Sequence, residues 1–121
     1  MSNVETTKKA YAAFSAGDLE TVLSILDDDT EWFLPGNSTI SGTYRGKAEV
    51  TELFGKLAEK DFIIAPSRFL ADDDVVVVLS IVTALAESAP QADAYSFRDG
   101  KIVKAQSFAD TAMQERIYGT K

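Results

Sequence analysis

The side chains best suited to chemistry lie late in the chain, where Asp93, Tyr95 and Phe97 alternate along one predicted strand. Alternate residues of a β-strand point to the same face of a sheet, so these three side chains share a face. A carboxyl group among aromatic and aliphatic side chains loses hydration, which raises its pKa and favours proton exchange near neutral pH. Asp93 is therefore the candidate acid–base residue; the alternative is a carboxylate near a strand end, in water.

The composition limits the chemistry that the rest of the chain can supply. There is no cysteine and no histidine. This excludes a thiol nucleophile, an imidazole base, a Ser-His-Asp triad and the usual zinc, copper and non-haem iron sites. Acid–base work must fall to carboxylates, tyrosines or lysines, and we expect neither a metal nor another cofactor.

Length and charge bound the fold and the partners. The 121 residues, 45% of them hydrophobic, suffice for one domain, which we expect to span residues 1–121. The net charge of −7 and the lack of a Lys/Arg stripe argue against nucleic acid and membrane partners. The polar segment Met1 to Lys9 has no apolar signal-peptide core, and the run 75–86 is too short to span a bilayer as a helix. A cytoplasmic location is predicted.

Caps and periodicity predict the order of the elements. Ser2 and Glu5 have capping-box spacing, and Gly17 ends an apolar stripe on which Tyr11 and Phe14 lie. In chain order, the expected elements are helices ending at Gly17 and Leu26, a strand over Thr30–Leu34, a helix over Gly46–Lys60 and strands over 61–70, 75–86, 91–98 and 101–109. Residues 42–45 are predicted as a loop, and the acidic runs 27–29 and 72–74 as a helix end and a hairpin turn.

Asp99 and Gly100 form a hairpin signal that fits two geometries. One is a two-residue turn; the other is a type I turn in which Gly100 forms a bulge. The choice sets the register of the last two strands. With a bulge at Gly100, the face of Asp93 also carries Val103, Ala105, Ser107 and Ala109, whose small side chains leave room opposite aromatic rings.

The segment 75–86 is apolar at successive positions, so both faces of its strand are apolar. An antiparallel sheet covered on one side does not need that pattern. Helices account for one face, and a second subunit is the simplest cover for the other, because a large exposed apolar patch is unusual on a monomer. A homodimer through the sheet is therefore predicted.

Four segments carry a resemblance to a known family: residues 11–19 (YAAFSAGDL), 32–36 (WFLPG), 42–46 (GTYRG) and 97–102 (FRDGKI). Their order and spacing resemble the SnoaL-like branch of the NTF2-like superfamily, which includes ketosteroid isomerases, polyketide cyclases and limonene epoxide hydrolases. The resemblance covers nearly the whole chain. It implies an α+β, cystatin-like roll, with three helices from the N-terminal half packed on a curved, mostly antiparallel sheet around a cone-shaped pocket.

The resemblance implies different sites for the different activities. The four polar roles of the ketosteroid isomerase site fall on Ala10, on Phe33 or Leu34, on Phe54 and on Asp93. The roles of the epoxide hydrolase site fall on Gln91, Asp93 and Ser107. In both sites only one carboxyl is retained. The polyketide cyclase relatives need only one carboxylate in an apolar cavity, a demand that Asp93 meets.

The resemblance and the alternation together predict a pocket with Asp93 as its catalytic residue. The residues predicted to line it are Phe14, Trp32, Leu34, Tyr44, Phe54, Gln91, Tyr95, Phe97, Ala105 and Ser107. Trp32 also fits core packing, and Tyr44 fits either the pocket mouth or packing before a helix. Asp110 fits a helix N-cap better than a site residue.

Three functions stay open for this pocket. The first is a cofactor-free, homodimeric enzyme of the isomerase or cyclase type that acts on a small, largely apolar molecule through Asp93. The second is a binding protein in which Gln91, Asp93 and Ser107 hydrogen-bond a ligand. The third is a dimeric interaction scaffold whose cavity is filled by its own side chains.

Overall fold

The structure, a computed structural model, describes all of residues 1–121 as four helices and one six-stranded sheet. The helices are α1 (Asn3–Ser15), α2 (Leu19–Ile25), α3 (Gly46–Ala58) and α4 (Thr111–Tyr118). The strands are β1 (Leu26–Leu34), β2 (Gly42–Arg45), β3 (Ile63–Asp72), β4 (Val75–Ala84), β5 (Glu87–Arg98) and β6 (Lys101–Phe108). The sheet order is β2-β1-β6-β5-β4-β3, antiparallel except between β1 and β6. The predicted α+β fold, with helices on a curved, mostly antiparallel sheet, is confirmed.

Side-chain caps begin three of the helices. The Ser2 hydroxyl accepts a hydrogen bond from the Glu5 N–H, and the Asp18 carboxylate accepts one from the Thr21 N–H. The Asp110 carboxylate accepts the Met113 N–H at 2.9 Å, so Asp110 has the geometry of an N-cap for α4. Each cap satisfies a backbone donor that the first helical turn leaves free.

Two sequence predictions were wrong at the edge of the sheet. Strand β1 begins at Leu26, directly after α2, and the acidic run 27–29 lies within it rather than at a helix end. Leu26 is buried and pairs with Ile102, and an irregularity before Glu31 takes up the residues between. The predicted loop 42–45 is β2, which pairs with β1 from Glu31 to Leu34. The start of β1 gains its strand character from β6, which is distant in sequence, whereas β2 pairs with the strand that precedes it.

The Asp99-Gly100 hairpin has the two-residue geometry. Both residues have positive φ, 52° and 77°, and Arg98 pairs directly with Lys101. The bulge lies further along β6, because Phe97 pairs with Ile102 while Ser96 pairs with Lys104. The prediction of Val103 on the face of Asp93 is therefore wrong. Ile102 lies there instead, while Ala105 and Ser107 keep the predicted face.

The core lies between the helices and one face of the sheet. A main cluster of 18 buried residues joins α1, α2 and α3 to the strands, and a separate cluster of Ala84, Ala89, Met113 and Ile117 lies under α4. The opposite face of the sheet exposes apolar side chains of β1, β4 and β6. None of the four helices has the length and apolar character that a transmembrane span requires.

Candidate functional site

A cavity of about 100 Å³ lies between the helices and the inner face of the sheet. Of the 18 residues that line it, 14 are hydrophobic. An apolar cavity of this order encloses roughly one aromatic ring. Its polar groups are few, which is the usual composition of a small-molecule site.

The structure brings most of the predicted pocket residues together in this wall. Those that line the cavity are Phe14, Trp32, Leu34, Phe54, Gln91, Asp93 and Tyr95. They come from α1, β1, α3 and β5, so the cavity depends on the packing of helices against the middle of the sheet. Asp93 is the one carboxyl group in the wall.

Four predicted pocket residues, Tyr44, Phe97, Ala105 and Ser107, are buried but do not line the cavity. The Tyr44 hydroxyl donates to the Ile40 carbonyl oxygen at 2.8 Å, which holds this side chain at the edge of the sheet. Ala105 lies between Trp32 and Tyr95 in the sheet, and those two rings contact each other with centroids 6.0 Å apart. The larger side chains of Trp32 and Tyr95 therefore line the cavity wall where Ala105 was expected to do so.

Asp93 is 8% exposed, and its environment favours the neutral carboxyl. Burial raises its pKa, because a carboxylate inside the protein loses its hydration. Hydrogen bonds from Gln91 and Ser107 favour the ionised form and oppose this effect without cancelling it. The Gln91 Nε2 donates to Asp93 Oδ2 at 3.1 Å, and Ser107 faces Asp93 across the β5–β6 pair.

A pair of tyrosines lies beside this carboxyl. The hydroxyls of Tyr11 and Tyr95 are 2.7 Å apart and share a hydrogen bond between α1 and β5. Burial is the main cause that raises the pKa of each tyrosine, and the charge of Asp93 raises both further. Both tyrosines therefore stay neutral at physiological pH. They can donate or accept hydrogen bonds but cannot serve as bases.

Aromatic rings form a continuous band around the cavity. Tyr95 contacts Trp32, Trp32 contacts Phe54, and Phe54 contacts Phe14, with centroids 5.2–6.0 Å apart and edge-to-face geometry. Phe14 continues the band to Phe62 at 6.2 Å. Rings that pack edge to face restrain one another, so the wall is preformed for a flat, apolar guest.

Sequence reasoning missed Tyr11, whose hydroxyl bonds Tyr95, and it also missed the polar lining residues Thr7 and Gln114. The sequence carried a signal for Tyr11, because Thr7, Tyr11 and Phe14 fall on one stripe of α1 and all three line the cavity. The aligned family position was Ala10, one residue earlier. Ala10 also lines the cavity, but the hydroxyl that reaches the sheet belongs to Tyr11.

Comparison with known proteins identifies the family to which this chain belongs. A model of the SnoaL-like domain matches residues 7–105. The chain belongs to this family. The matched range of this SnoaL-like chain contains Tyr11, Asp93 and Tyr95 and stops before α4. An uncharacterised protein of Mycobacterium tuberculosis is 30% identical over 57 residues, which cover 47% of this chain and 44% of that protein. The match thus spans less than half of the length of that curated relative.

Solved structures resemble the whole SnoaL-like chain. A protein of unknown function with a cystatin-like fold from Xanthomonas campestris is 31% identical, covers all of both chains and superposes with a TM-score of 0.89. TerC, crystallised with polyporic acid, is 25% identical over 98% of both chains, with a TM-score of 0.85. An NTF2-like protein from Burkholderia pseudomallei is 29% identical over 98% of both chains, with a TM-score of 0.85. The fold is NTF2-like.

The raised pKa of Asp93 predicts a particular pH dependence of stability. A carboxyl whose pKa is higher in the folded than in the unfolded state binds more protons when folded. The unfolding free energy of the wild type therefore falls as pH rises from about 3.9 towards the folded pKa. Asn cannot ionise, so Asp93→Asn gains stability relative to the wild type across this window. Urea unfolding at half-unit pH steps measures the difference.

Asp18→Asn is the matched control of opposite sign. Hydrogen bonds from Thr21 lower the pKa of the exposed Asp18 carboxylate, so this variant loses stability relative to the wild type as pH rises towards about 3.9. A difference between Asp93→Asn and the wild type that stays constant with pH would show that Asp93 titrates like a solvated carboxylate.

The Tyr11–Tyr95 hydrogen bond predicts strong coupling between two substitutions. Tyr11→Phe or Tyr95→Phe alone leaves the other buried hydroxyl without its partner, at a cost of about 1–3 kcal/mol. The double variant leaves no unpaired hydroxyl, so its unfolding free energy should exceed the additive expectation by about 1 kcal/mol. Urea unfolding of the three variants measures this coupling. Tyr118→Phe, whose half-buried hydroxyl makes a long 3.3 Å bond to Leu57, should combine additively with Tyr11→Phe.

Proposed function

We propose that this protein binds a small, largely apolar molecule in the cavity and that Asp93 exchanges a proton with it. The observation that carries the proposal is the position of one buried carboxyl in a wall that is otherwise almost wholly hydrophobic. A buried carboxyl is expensive to maintain unless a function uses it, and perturbed carboxyl groups cluster at functional sites. The similar protein TerC, crystallised with polyporic acid, supports a small organic ligand.

The chemistry that fits this wall is proton transfer next to a carbonyl group. Ionised Asp93 takes a proton from the carbon beside the carbonyl; the electron pair of the broken C–H bond moves onto the carbonyl oxygen as an enolate. Neutral Asp93 then returns the proton to carbon, which completes an isomerisation or the last step of a ring closure. The raised pKa of Asp93 lets it hold the proton between these steps.

The tyrosine pair can stabilise the enolate in this reaction. Two hydroxyls that share one hydrogen bond use one of their two hydrogens, so the other remains available to donate. Because both tyrosines resist ionisation, the hydrogen stays on the pair and acts as a fixed donor. A donor placed where negative charge develops lowers the barrier in a dry cavity.

Binding without catalysis is the second candidate function. Asp93 has no second carboxyl and no cationic side chain in the cavity wall with which to share a proton. In that function, neutral Asp93 and the tyrosine pair donate hydrogen bonds to a carbonyl or hydroxyl oxygen and fix the orientation of the ligand.

The test uses 2-tetralone, a flat ketone whose carbonyl-bearing ring matches the cavity in size. Exchange of its acidic hydrogens for deuterium in D₂O, followed by proton NMR, reports proton transfer directly. We expect the wild type to accelerate exchange and Asp93→Asn to lose about 100-fold or more of that acceleration. Asp99→Asn, at a hairpin turn outside the cavity, should exchange like the wild type.

Calorimetric titration of the same proteins separates the two functions. If 2-tetralone binds to the wild type but its hydrogen exchange is not accelerated, catalysis is rejected and ligand binding remains as the function. If 2-tetralone does not bind to the wild type and its hydrogen exchange is not accelerated, the proposal is rejected.

We also propose that the outer face of the sheet joins two copies of the chain. Phe33, Leu70, Leu79, Ile81 and Phe108 are all 36–54% exposed and lie on this face. A six-stranded face of roughly 25 by 30 Å approaches the roughly 800 Å² that each partner buries in a typical interface. A chain of net charge −7 repels its copy least where acidic side chains are sparse, as they are along the outer face of β4.

Ile81→Glu and Leu79→Glu test this dimer. Each places a charge on β4 within the exposed apolar face, so each should convert a dimer into a monomer of 13.1 kDa in light scattering after size exclusion. Leu85→Glu is the matched control, because Leu85 is 54% exposed but lies in the β4–β5 turn. A wild type of single-chain mass at micromolar concentration would contradict the proposal.

A further inference from the structure

A second, smaller cavity adjoins the first under α4. Its volume is about 20 Å³, enough for one group the size of a water molecule. It shares Leu57, Phe62, Gln91 and Gln114 with the wall of the main cavity. A molecule in the main cavity can therefore extend one small substituent towards α4.

Gln114 differs from most other polar side chains of the main cavity in lacking a partner. Thr7 donates to the Asn3 carbonyl, Tyr11 and Tyr95 bond each other, and Gln91 bonds Asp93. Gln114 Oε1 is buried without any hydrogen-bond partner. A buried acceptor without a partner is costly, and native structures keep few of them without a use.

Trp32 Nε1 is the other unpartnered polar atom of the cavity wall, but its indole ring is held between Phe54 and Tyr95. The amide of Gln114 is less constrained, since the terminal torsion of a glutamine side chain has a broad energy profile. A small rotation turns Oε1 towards a guest. Helix α4 fixes the backbone of Gln114 through the Asp110 cap and through the Arg116–Glu87 ion pair at 2.7 Å.

We infer that the second cavity and Gln114 form a subsite for a hydroxyl group of the ligand. This inference rests on the proposed function, because it names a second feature of the same molecule. The ligand is then a small, flat, apolar compound with a carbonyl near Asp93 and a hydroxyl that reaches α4. Its hydroxyl hydrogen donates to Gln114 Oε1, and its oxygen fills a space that suits one water-sized group.

The experiment compares 2-tetralone with its 5-, 6- and 7-hydroxy derivatives, a set of three hydroxy isomers, by calorimetric titration into the wild type and Gln114→Met. Methionine keeps the length and helix propensity of glutamine and removes the acceptor. We expect one hydroxy isomer to bind the wild type more tightly than 2-tetralone. Gln114→Met should reduce that preference, measured as the ratio of the two affinities on the same variant, about tenfold.

Two further measurements separate recognition from a change in cavity shape. Leu57→Met alters an apolar residue shared by both cavities, so it should change the affinities for 2-tetralone and its hydroxy derivatives by the same factor. The melting temperature of unliganded Gln114→Met should not fall below that of the wild type, because the variant removes an unpaired acceptor.

The outcomes distinguish this inference from the proposed function. If 2-tetralone binds the wild type but Gln114→Met leaves the preference for every hydroxy isomer unchanged, the subsite is rejected and the proposed function stands. If neither 2-tetralone nor any hydroxy isomer binds the wild type, both are rejected.

Discussion

The hydrogen bond between Tyr11 and Tyr95 fixes the distance between the first helix and the middle of the sheet. It joins residues 84 positions apart in the sequence, and it is buried, so water cannot replace either partner. Two rings held edge to face at 6.0 Å keep α1 from settling directly onto β5. This contact and the neighbouring aromatic band hold the helices and the inner face of the sheet apart by about the width of a ring, and the space between them is the cavity.

The same contact decides the surroundings of Asp93. Its carboxyl lies two residues from Tyr95 on the inner face of β5, so whatever holds Tyr95 under the helices also removes water from Asp93. Gln91, two residues earlier on that face, supplies the one amide donor that partly offsets the lost hydration. Three alternate positions of a single strand thus supply a buried carboxyl group, its hydrogen-bond donor and its aromatic shield.

Local signals in the sequence predicted much of this arrangement. A capping residue and an apolar stripe indicated α1, an apolar stripe indicated α3, and the Asp99-Gly100 turn indicated the β5–β6 hairpin, because these signals depend on neighbours in the chain. The start of β1 could not be predicted in this way, because Leu26 pairs with Ile102, far along the chain, and the four residues of β2 carry no alternating apolar pattern. Alternation placed Asp93 and Tyr95 on one face, but the bulge at Val103 was not visible in the sequence. Tyr11 was discounted because it lay one position from the aligned residue, although its helical stripe already pointed into the cavity.

The parallel pairing of β1 with β6 has a consequence for the order in which this chain folds. The β4–β5 and β5–β6 hairpins join neighbours in sequence and close short loops, whereas Trp32 meets Ala105 only after more than half of the chain lies between them. Closing a long loop has a larger entropy cost than closing a hairpin, and such contacts slow folding. These costs favour formation of the β4–β5 and β5–β6 hairpins before β1 docks. In a nascent chain that still lacks β6, the edge of β5 that β6 later pairs with is left without its backbone hydrogen-bond partners, and such unpaired edges favour association between chains.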